Sequence, residues 1–574
     1  MPFGAQVLGD GGVRFRLWAP AAREVAVSIN GISFEMAELE GGWFERVEKA
    51  APGARYRYRI DGSGEVPDPA SRFQPRDAEG PSEVIDARMF AWQDGQWRGR
   101  PWREAVIYEL HVGAFSSSGN YKGVLEKLPY LRDLGVTAIE LMPLADFCGR
   151  RNWGYDGVLP FAPDSRYGRP EALKTLVQAA HQAGLMVFLD VVFNHFGPKG
   201  NFLRRYAPQF FTEKHKTPWG AAIDFSNRLV RSFFIHNALY WLEEYRFDGL
   251  RFDAVHAIID DSPVHILDET ASTIKNKFKD KRDIHLILEN DANQARFLGP
   301  GKFEAQWNDD SHHGYHVLAT GEADGYYAAY ADAPARHLAR ALAEGFAYQG
   351  EVSPFTGEPR GERSAHLPPS AFVDFMQNHD QVGNRAHGER LASLAEEKIL
   401  RCLSAILLLA PSPPLLFMGE EWGCHQPFLF FCDFEGELGA AVRKGRREEF
   451  ARFAAFADPR ARARIPDPLA EQTFKRSVLR WKDARGPAGR AWLGHYKALL
   501  ALRHAEIAPR AFGPGRWRML GEHAFEVSWQ GGLTLFANCG EEAVALEGIP
   551  PGRNLWTSLS EPTLEGWTAS WWLA

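Results

Sequence analysis

Eight short apolar runs, most of them separated by helical segments, govern what this chain can fold into. They are AVIYELHVG from Ala105, TAIELMP from Thr137, LMVFLDVVF from Leu185, DGLRFDA from Asp248, IHLILEN from Ile284, FEAQWND from Phe303, AFVDFMQN from Ala371 and PPLLFMGEE from Pro413. Apolar runs alternating with helix-like stretches are the pattern of a parallel sheet covered by helices. Eight of them predict a closed (β/α)8 barrel. YKGVLEKLPYLRDLG, RPEALKTLVQAAHQAG and RLVRSFFIHNALYWLEEY read as intervening helices, the first two closing on a C-terminal Gly. Two connections are too long for simple crossovers. Residues 196–228 predict an excursion above the third strand, and the stretch from Asn308 to Ala371 predicts an inserted helical segment.

The ends of the chain read differently. VRFRLWAP, EVAVSING, GWFERVE and ARYRYRIDG alternate with a period of two between Gly and Pro clusters, so residues 1–97 are expected to form a β-sandwich. AFEVSWQGG and LTLFANCG place a second small β-sandwich at 510–574, leaving 98–509 for the barrel. The fold class is therefore multidomain, a central (β/α)8 barrel between two β domains.

Composition excludes several classes. Lys+Arg number 66 and Asp+Glu 73, a net charge of −7, so no general electrostatic attraction draws the chain to nucleic acid or an anionic membrane. Hydrophobic residues at 45% and charged ones at 24% are globular values. The most apolar stretch, LSAILLLAPSPPLLF from Leu403, is broken by prolines and too short to span a bilayer. The opening MPFGAQVLGDGGVRF does not read as a signal peptide, and a cytoplasmic setting is expected. Cys148, Cys402, Cys424, Cys432 and Cys539 lack CxxC spacing and read as buried, reduced thiols.

Barrel active sites assemble where strands end, so polar residues closing apolar runs are the place to look for chemistry. Asp190 ends LMVFLD, Asp253 ends GLRFD, Glu289 ends IHLILE, and Asp380 follows FVDFMQNH. Their large separations in sequence mean that only barrel closure brings them together. Converging carboxylates serve either a metal or acid, base and nucleophilic chemistry. Arg251 lies two residues before Asp253, on the same side of its strand, and keeps that carboxylate ionised as a nucleophile requires. Glu289 follows an apolar run, where burial would favour the protonated carboxyl of a general acid. One ionised and one protonated carboxyl is a glycosidase pairing.

DVVFNH (Asp190 to His195), GLRFDAVH (Gly249 to His256), LEN (Leu288 to Asn290) and FMQNHD (Phe375 to Asp380) resemble, in order, the conserved regions of the α-amylase family of glycoside hydrolases. The resemblance implies Asp253 as nucleophile, Glu289 as proton donor and later base, and Asp380 as transition-state stabiliser. It implies Tyr155 as the platform under the reacting sugar, His195 and His379 as its hydrogen-bond partners, and Asp190, Arg251 and His256 as further members of the site. The segments WGYDGV at Trp153, YGRPEAL at Tyr167, NHFGPKGN at Asn194, WNDDSHH at Trp307 and NHDQVGNRAHGERL at Asn378 are most similar to the malto-oligosyltrehalose trehalohydrolases within that family. Glycogen branching enzymes are the nearest alternative, with the same three acids. In the trehalohydrolase reading Asp309, Asp310, His313, Gln381 and Asn384 supply polar contacts to the trehalose end, and Trp219 and Trp307 are candidates for further subsites. The implied partners are malto-oligosyltrehalose and related α-glucans, with pathway coupling to a malto-oligosyltrehalose synthase and neither nucleic acid nor membrane. No cofactor is implied, and the acid-poor run HFGPKGN after the third strand predicts no required metal.

Overall fold

A computed structural model describes residues 1–9, 11–548, 551–557, 559 and 561–574. Its centre is a closed barrel of eight parallel strands. These are β1 (Ile107–Leu110), β2 (Ala138–Leu141), β3 (Met186–Val191), β4 (Gly249–Phe252), β5 (His285–Leu288), β6 (Ala305–Trp307), β7 (Phe372–Phe375) and β8 (Pro414–Phe417). Each coincides with one of the eight apolar runs, β6 being the shortest.

The helices that matter for the site are α1 (Arg228–Glu244), α2 (Asp309–Thr320), α3 (Pro334–Glu344), α4 (His379–Gly383), α5 (Glu397–Leu409) and α6 (Gly436–Glu449). The expected insertion between β6 and β7 contains α2 and α3. The excursion after β3 contains a hairpin of Phe211–Thr217 and Gly220–Ile223.

Alternation decides what fills the barrel. Ile107, Ala138, Met186, Phe188, Ile287, Ala305, Trp307, Val373, Phe375 and Leu415 form an enclosed apolar cluster separate from the main core. Residues two positions further along a strand lie on the same side, which carries Glu109, Glu140, Asp190 and Glu289 inward above that layer. Gly249 is required by this packing, because a Cβ there would meet the Phe188 ring at 2.8 Å and the His285 carbonyl oxygen at 2.5 Å.

In front, a four-stranded sheet (Gln6–Val7, Gly12–Trp18, Trp43–Lys49 and Ala37–Leu39) faces a five-stranded one centred on Val25–Ile29 and Arg55–Ile60. The run GVRFRLW buries Val13, Phe15 and Leu17 while Arg14 and Arg16 stay half-exposed, as its alternation requires. This sandwich packs on the barrel through Phe3 against Phe233 of α1 and Trp18 against Phe210. At the other end, an antiparallel five-stranded sheet from Gly515 to Leu573 sits on α3 and α5. Its Trp529 and Trp571 stack on each other and donate to the carbonyls of Leu342 and Ala405.

All five cysteines are buried and unbridged. Among the described residues no helix is long and apolar enough to cross a membrane.

Candidate active site

Arg251 organises the mouth of the barrel. It is 1% exposed, lies over the Trp307 ring at 4.1 Å, and donates to three carboxylates. Nη1 reaches Asp190 Oδ2 at 2.6 Å and Asp253 Oδ1 at 2.9 Å, while Nη2 reaches Glu289 Oε2 at 2.8 Å. The sequence reading placed Arg251 beside Asp253 alone. Barrel closure sets Arg251 opposite Asp190 on β3, and the neighbouring β5 delivers Glu289 to the other nitrogen.

Glu289 is therefore not enclosed by apolar groups as expected. The leucines and isoleucines of IHLIL bury the strand, but the carboxylate beyond it is one-fifth exposed and bound to Arg251. It also accepts the N–H of Ala254 at 2.8 Å. Ala254 has φ +41°, a left-handed conformation that costs a residue with a Cβ about 1–2 kcal/mol, and its amide is thereby turned toward Glu289. Asp253 is fixed from the other side by Asn194, whose Nδ2 donates to its Oδ2 at 2.9 Å and to its carbonyl at 2.8 Å.

Burial raises the pKa of Asp190 to about 7 against the pull of Arg251. The Tyr155 hydroxyl also donates to Asp190, at 2.6 Å. The Tyr155 ring stacks on His379 at 5.0 Å, and its carbonyl bonds His195 Nε2 at 2.9 Å. Burial pushes His195 down to about 4, so the ring is neutral near pH 7. Burial opposes charge on His379 too, but the Glu109 carboxylate, 2.5 Å from its Nδ1, outweighs burial and holds its pKa above the ordinary value. Burial raises Asp380, against the opposing pull of His379; Asn384 donates to it at 2.5 Å.

A cleft of about 320 Å³ opens over this group, and Glu289, Asp309, His313, Asp380, Gln381 and Asn384 line it. Gln381 accepts from the Tyr326 hydroxyl at 3.0 Å and donates to Asp309 at 3.4 Å. Burial, with Glu289 adding to it, raises Asp309 well above the carboxylate range. Trp219, 48% exposed at the hairpin tip, stacks on His195 at 4.3 Å. His256 lies at the surface, where its Nδ1 accepts the N–H of Asp291 at 3.3 Å.

Two expected substrate residues are structural. Asp310 is fully buried and accepts from Arg360 at 2.6 Å, from Tyr330 at 2.6 Å and from the amides of Ala347 and Tyr348. The segment DDSHH opens α2, so adjacent aspartates face opposite ways, Asp309 to the cleft and Asp310 to the protein. Trp307 is 1% exposed inside the barrel, where it supports Arg251 and not a sugar.

Sequence reasoning missed Glu109, Asn194, Tyr326 and Arg360. A signal existed for Glu109, since Ile107 and Glu109 must share a side of β1. For Arg360 there was none, because its partners come from α2 and a loop.

Comparison with known proteins agrees with this geometry. Residues 72–219 match the alpha amylase catalytic domain, and residues 2–73 match carbohydrate-binding module 48, the isoamylase N-terminal domain. Over 524 residues the chain is 44% identical to the malto-oligosyltrehalose trehalohydrolase of Deinococcus radiodurans, covering 91% of this chain and 85% of that protein. The chain belongs to the malto-oligosyltrehalose trehalohydrolase family. Outside these trehalohydrolases, the 1,4-alpha-glucan branching enzyme of Rubrobacter xylanophilus is 36% identical over 285 residues, 44% of this chain and 39% of that enzyme. A solved structure from Salmonella typhimurium, described as an alpha amylase, superposes this trehalohydrolase-family chain with a TM-score of 0.95 at 46% identity, covering 100% of this chain and 99% of that one.

Proposed function

We propose that this protein is a retaining glycoside hydrolase that cleaves the α-1,4 bond between a malto-oligosyl chain and its terminal trehalose. The carrying observation is the single guanidinium of Arg251 shared by Asp190, Asp253 and Glu289, in a cleft that Asp380 also lines. Two carboxylates bound to two nitrogens of one guanidinium lie close, which is what retention needs; an inverting pair stands further apart to admit water.

Asp253, paired to Arg251 and oriented by Asn194, attacks the anomeric carbon. Glu289 protonates the glycosidic oxygen as that bond breaks, and trehalose leaves. A β-glycosyl ester on Asp253 remains. Water then enters, gives its proton to Glu289 and attacks the same carbon, freeing Asp253 and a malto-oligosaccharide with the α configuration restored. Three carboxyls around one cation are an excess of negative charge, which favours keeping one proton within the group. Asp380 strengthens its hold on ring hydroxyls as the sugar flattens in the transition state. Tyr155 supplies the apolar face beneath the ring, with Asp190, His195 and His379 around its hydroxyls. Asp309, His313, Gln381 and Asn384 are positioned along the cleft to take the trehalose end.

We assign the front sandwich to packing. Its exposed large apolar side chains, Met1, Ile32, Leu39, Val47 and Met89, carry no ring, and among the described residues of this domain none is an exposed ring on which a sugar could stack.

The test is to incubate the protein with malto-oligosyltrehalose and separately with amylose, following free trehalose and new α-1,6 branches. Trehalose from the first without branches in the second supports the reading. Branches without trehalose would make the enzyme a transferase using the same acids. Following the first turnovers by proton NMR tests retention: the new reducing end should appear as the α anomer, and an initial β anomer would overturn it.

A further inference from the structure

On the side of the cleft given to trehalose, the turn Gly325–Ala329 is tied twice to the segment that runs on from α4. One tie faces the cleft. The Tyr326 hydroxyl donates to Gln381 at 3.0 Å, and the Tyr326 side chain, 38% exposed, lines the cleft beside Gln381 and Asn384. The other tie stands behind it. Arg385, which follows Asn384, sets both ends of its guanidinium on Glu322, Nη1 donating to Oε2 at 2.7 Å and Nη2 to Oε1 at 2.8 Å. A fork of this kind fixes direction as well as distance.

Arg385 holds the Glu322 carboxyl well below the usual carboxylate range, so the pair is charged near neutral pH. Glu322 Oε2 also takes the Nε2 of His316, in the last turn of α2, at 2.7 Å. Burial lowers the pKa of His316, and its neutral ring lies flat on Tyr327 at 4.1 Å and 10°. Tyr327 is 7% exposed. Because Tyr326 and Tyr327 are neighbours in one turn, anchoring the second sets the direction in which the first leaves the backbone. The contacts close a ring, from Arg385 through Glu322, His316, Tyr327 and Tyr326 back to Gln381. Glu322, His316 and Arg385 stand behind the residues that line the cleft.

We propose that Glu322 is a positioning residue that sets substrate selectivity: by joining Arg385 to His316 it locks the wall against which the trehalose end is fitted. This rests on the function proposed above. Trehalose joins its two glucose rings through both anomeric carbons, whereas a malto-oligosaccharide ends on an α-1,4-linked glucose with a free anomeric carbon. The two therefore diverge in shape at the second glucose beyond the cleaved bond. A wall free to shift accepts either end, and a locked one rejects the misfit.

The experiment compares kcat/KM for malto-oligosyltrehalose and for a malto-oligosaccharide with the same number of glucose units. Glu322→Gln keeps the side-chain shape but gives up the charge and one of the two acceptor oxygens. It should lower the ratio of the two constants by about tenfold, the scale of one charge-assisted hydrogen bond. A merely structural role would slow both substrates alike, and that unchanged ratio would overturn the proposal. Tyr326→Phe removes only the tie that faces the cleft. If Glu322 acts through this turn, the double variant should lower the ratio by less than the product of the two single effects, and full multiplication would count against it. If the wild type releases no trehalose, the substrate assignment fails, and calorimetric titration with trehalose then tests the wall by itself. Weaker trehalose binding by Glu322→Gln than by the wild type would still support the positioning role; equal affinity, or no binding by either, would overturn it.

Discussion

Arg251 gives each acid in the site a different set of partners, and those partners separate their roles. Asp253 has both oxygens engaged, by Arg251 and Asn194, which holds it for in-line attack. Glu289 lies at the cleft side of the same guanidinium, with one-fifth of its surface open to a substrate oxygen. Asp253→Ala should reduce trehalose release by about a thousandfold or more, since a covalent step loses its nucleophile. Its melting temperature should stay within a few degrees of the wild type, because Arg251 keeps Asp190 and Glu289. A near-normal rate in that variant would move the nucleophile elsewhere.

At the scale of elements, the loop after α3 owes its position to one buried residue of α2. Asp310 holds the amides of Ala347 and Tyr348 together with Arg360, whose side chain continues to Asp291 just beyond Glu289. Asp310→Asn leaves Arg360 with the exposed Asp291 in place of its buried carboxylate partner and should cost about 3 kcal/mol. Hydrogen exchange should quicken across residues 346–362, and unchanged protection there would show that the loop holds itself. The turn after β8 offers a pH test. Burial raises Glu421 to about 7 although Tyr130 and Tyr108 donate to it at 2.9 and 3.0 Å. A folded carboxyl that keeps its proton to higher pH contributes stability that is full below the ordinary 4.5 and is lost as pH rises through about 7. Glu421→Gln lacks that loss, so its melting temperature should improve relative to the wild type between about pH 5 and pH 8. A pH-independent difference would contradict the assignment.

For the molecule as a whole, the barrel depends on what covers its helices. Trp571 of the last strand is fully buried and donates to the Ala405 carbonyl of α5, while Arg503 donates to the carbonyls of Leu408, Ala410 and Ser412 where α5 leads into β8. The C-terminal sheet thus braces α5, and Arg503 holds the link from α5 to the strand that closes the barrel. Trp571→Ala should cost about 3–5 kcal/mol and lower the melting temperature of the catalytic activity as well as of the tail. Loss of the tail alone, with activity melting as before, would show two independent units.

Local pattern determined much of this by itself. Strand positions were legible because a barrel strand is an apolar run closed by a turn, and Asp190, Asp253, Glu289 and Asp380 were legible because each ends or follows such a run. The front and rear sheets followed from period-two alternation. Only the tertiary structure decided which groups share a partner. That one guanidinium serves Asp190, Asp253 and Glu289 depends on strand neighbourhood and register, which arise from closure across the barrel. That Asp309 faces the cleft while Asp310 is sealed beneath it depends on DDSHH starting a helix, and Trp307 was taken inside because the barrel interior needs its volume. A sequence records which residues are apolar or charged at each position, whereas a site is set by the directions in which side chains leave the backbone once distant segments have packed.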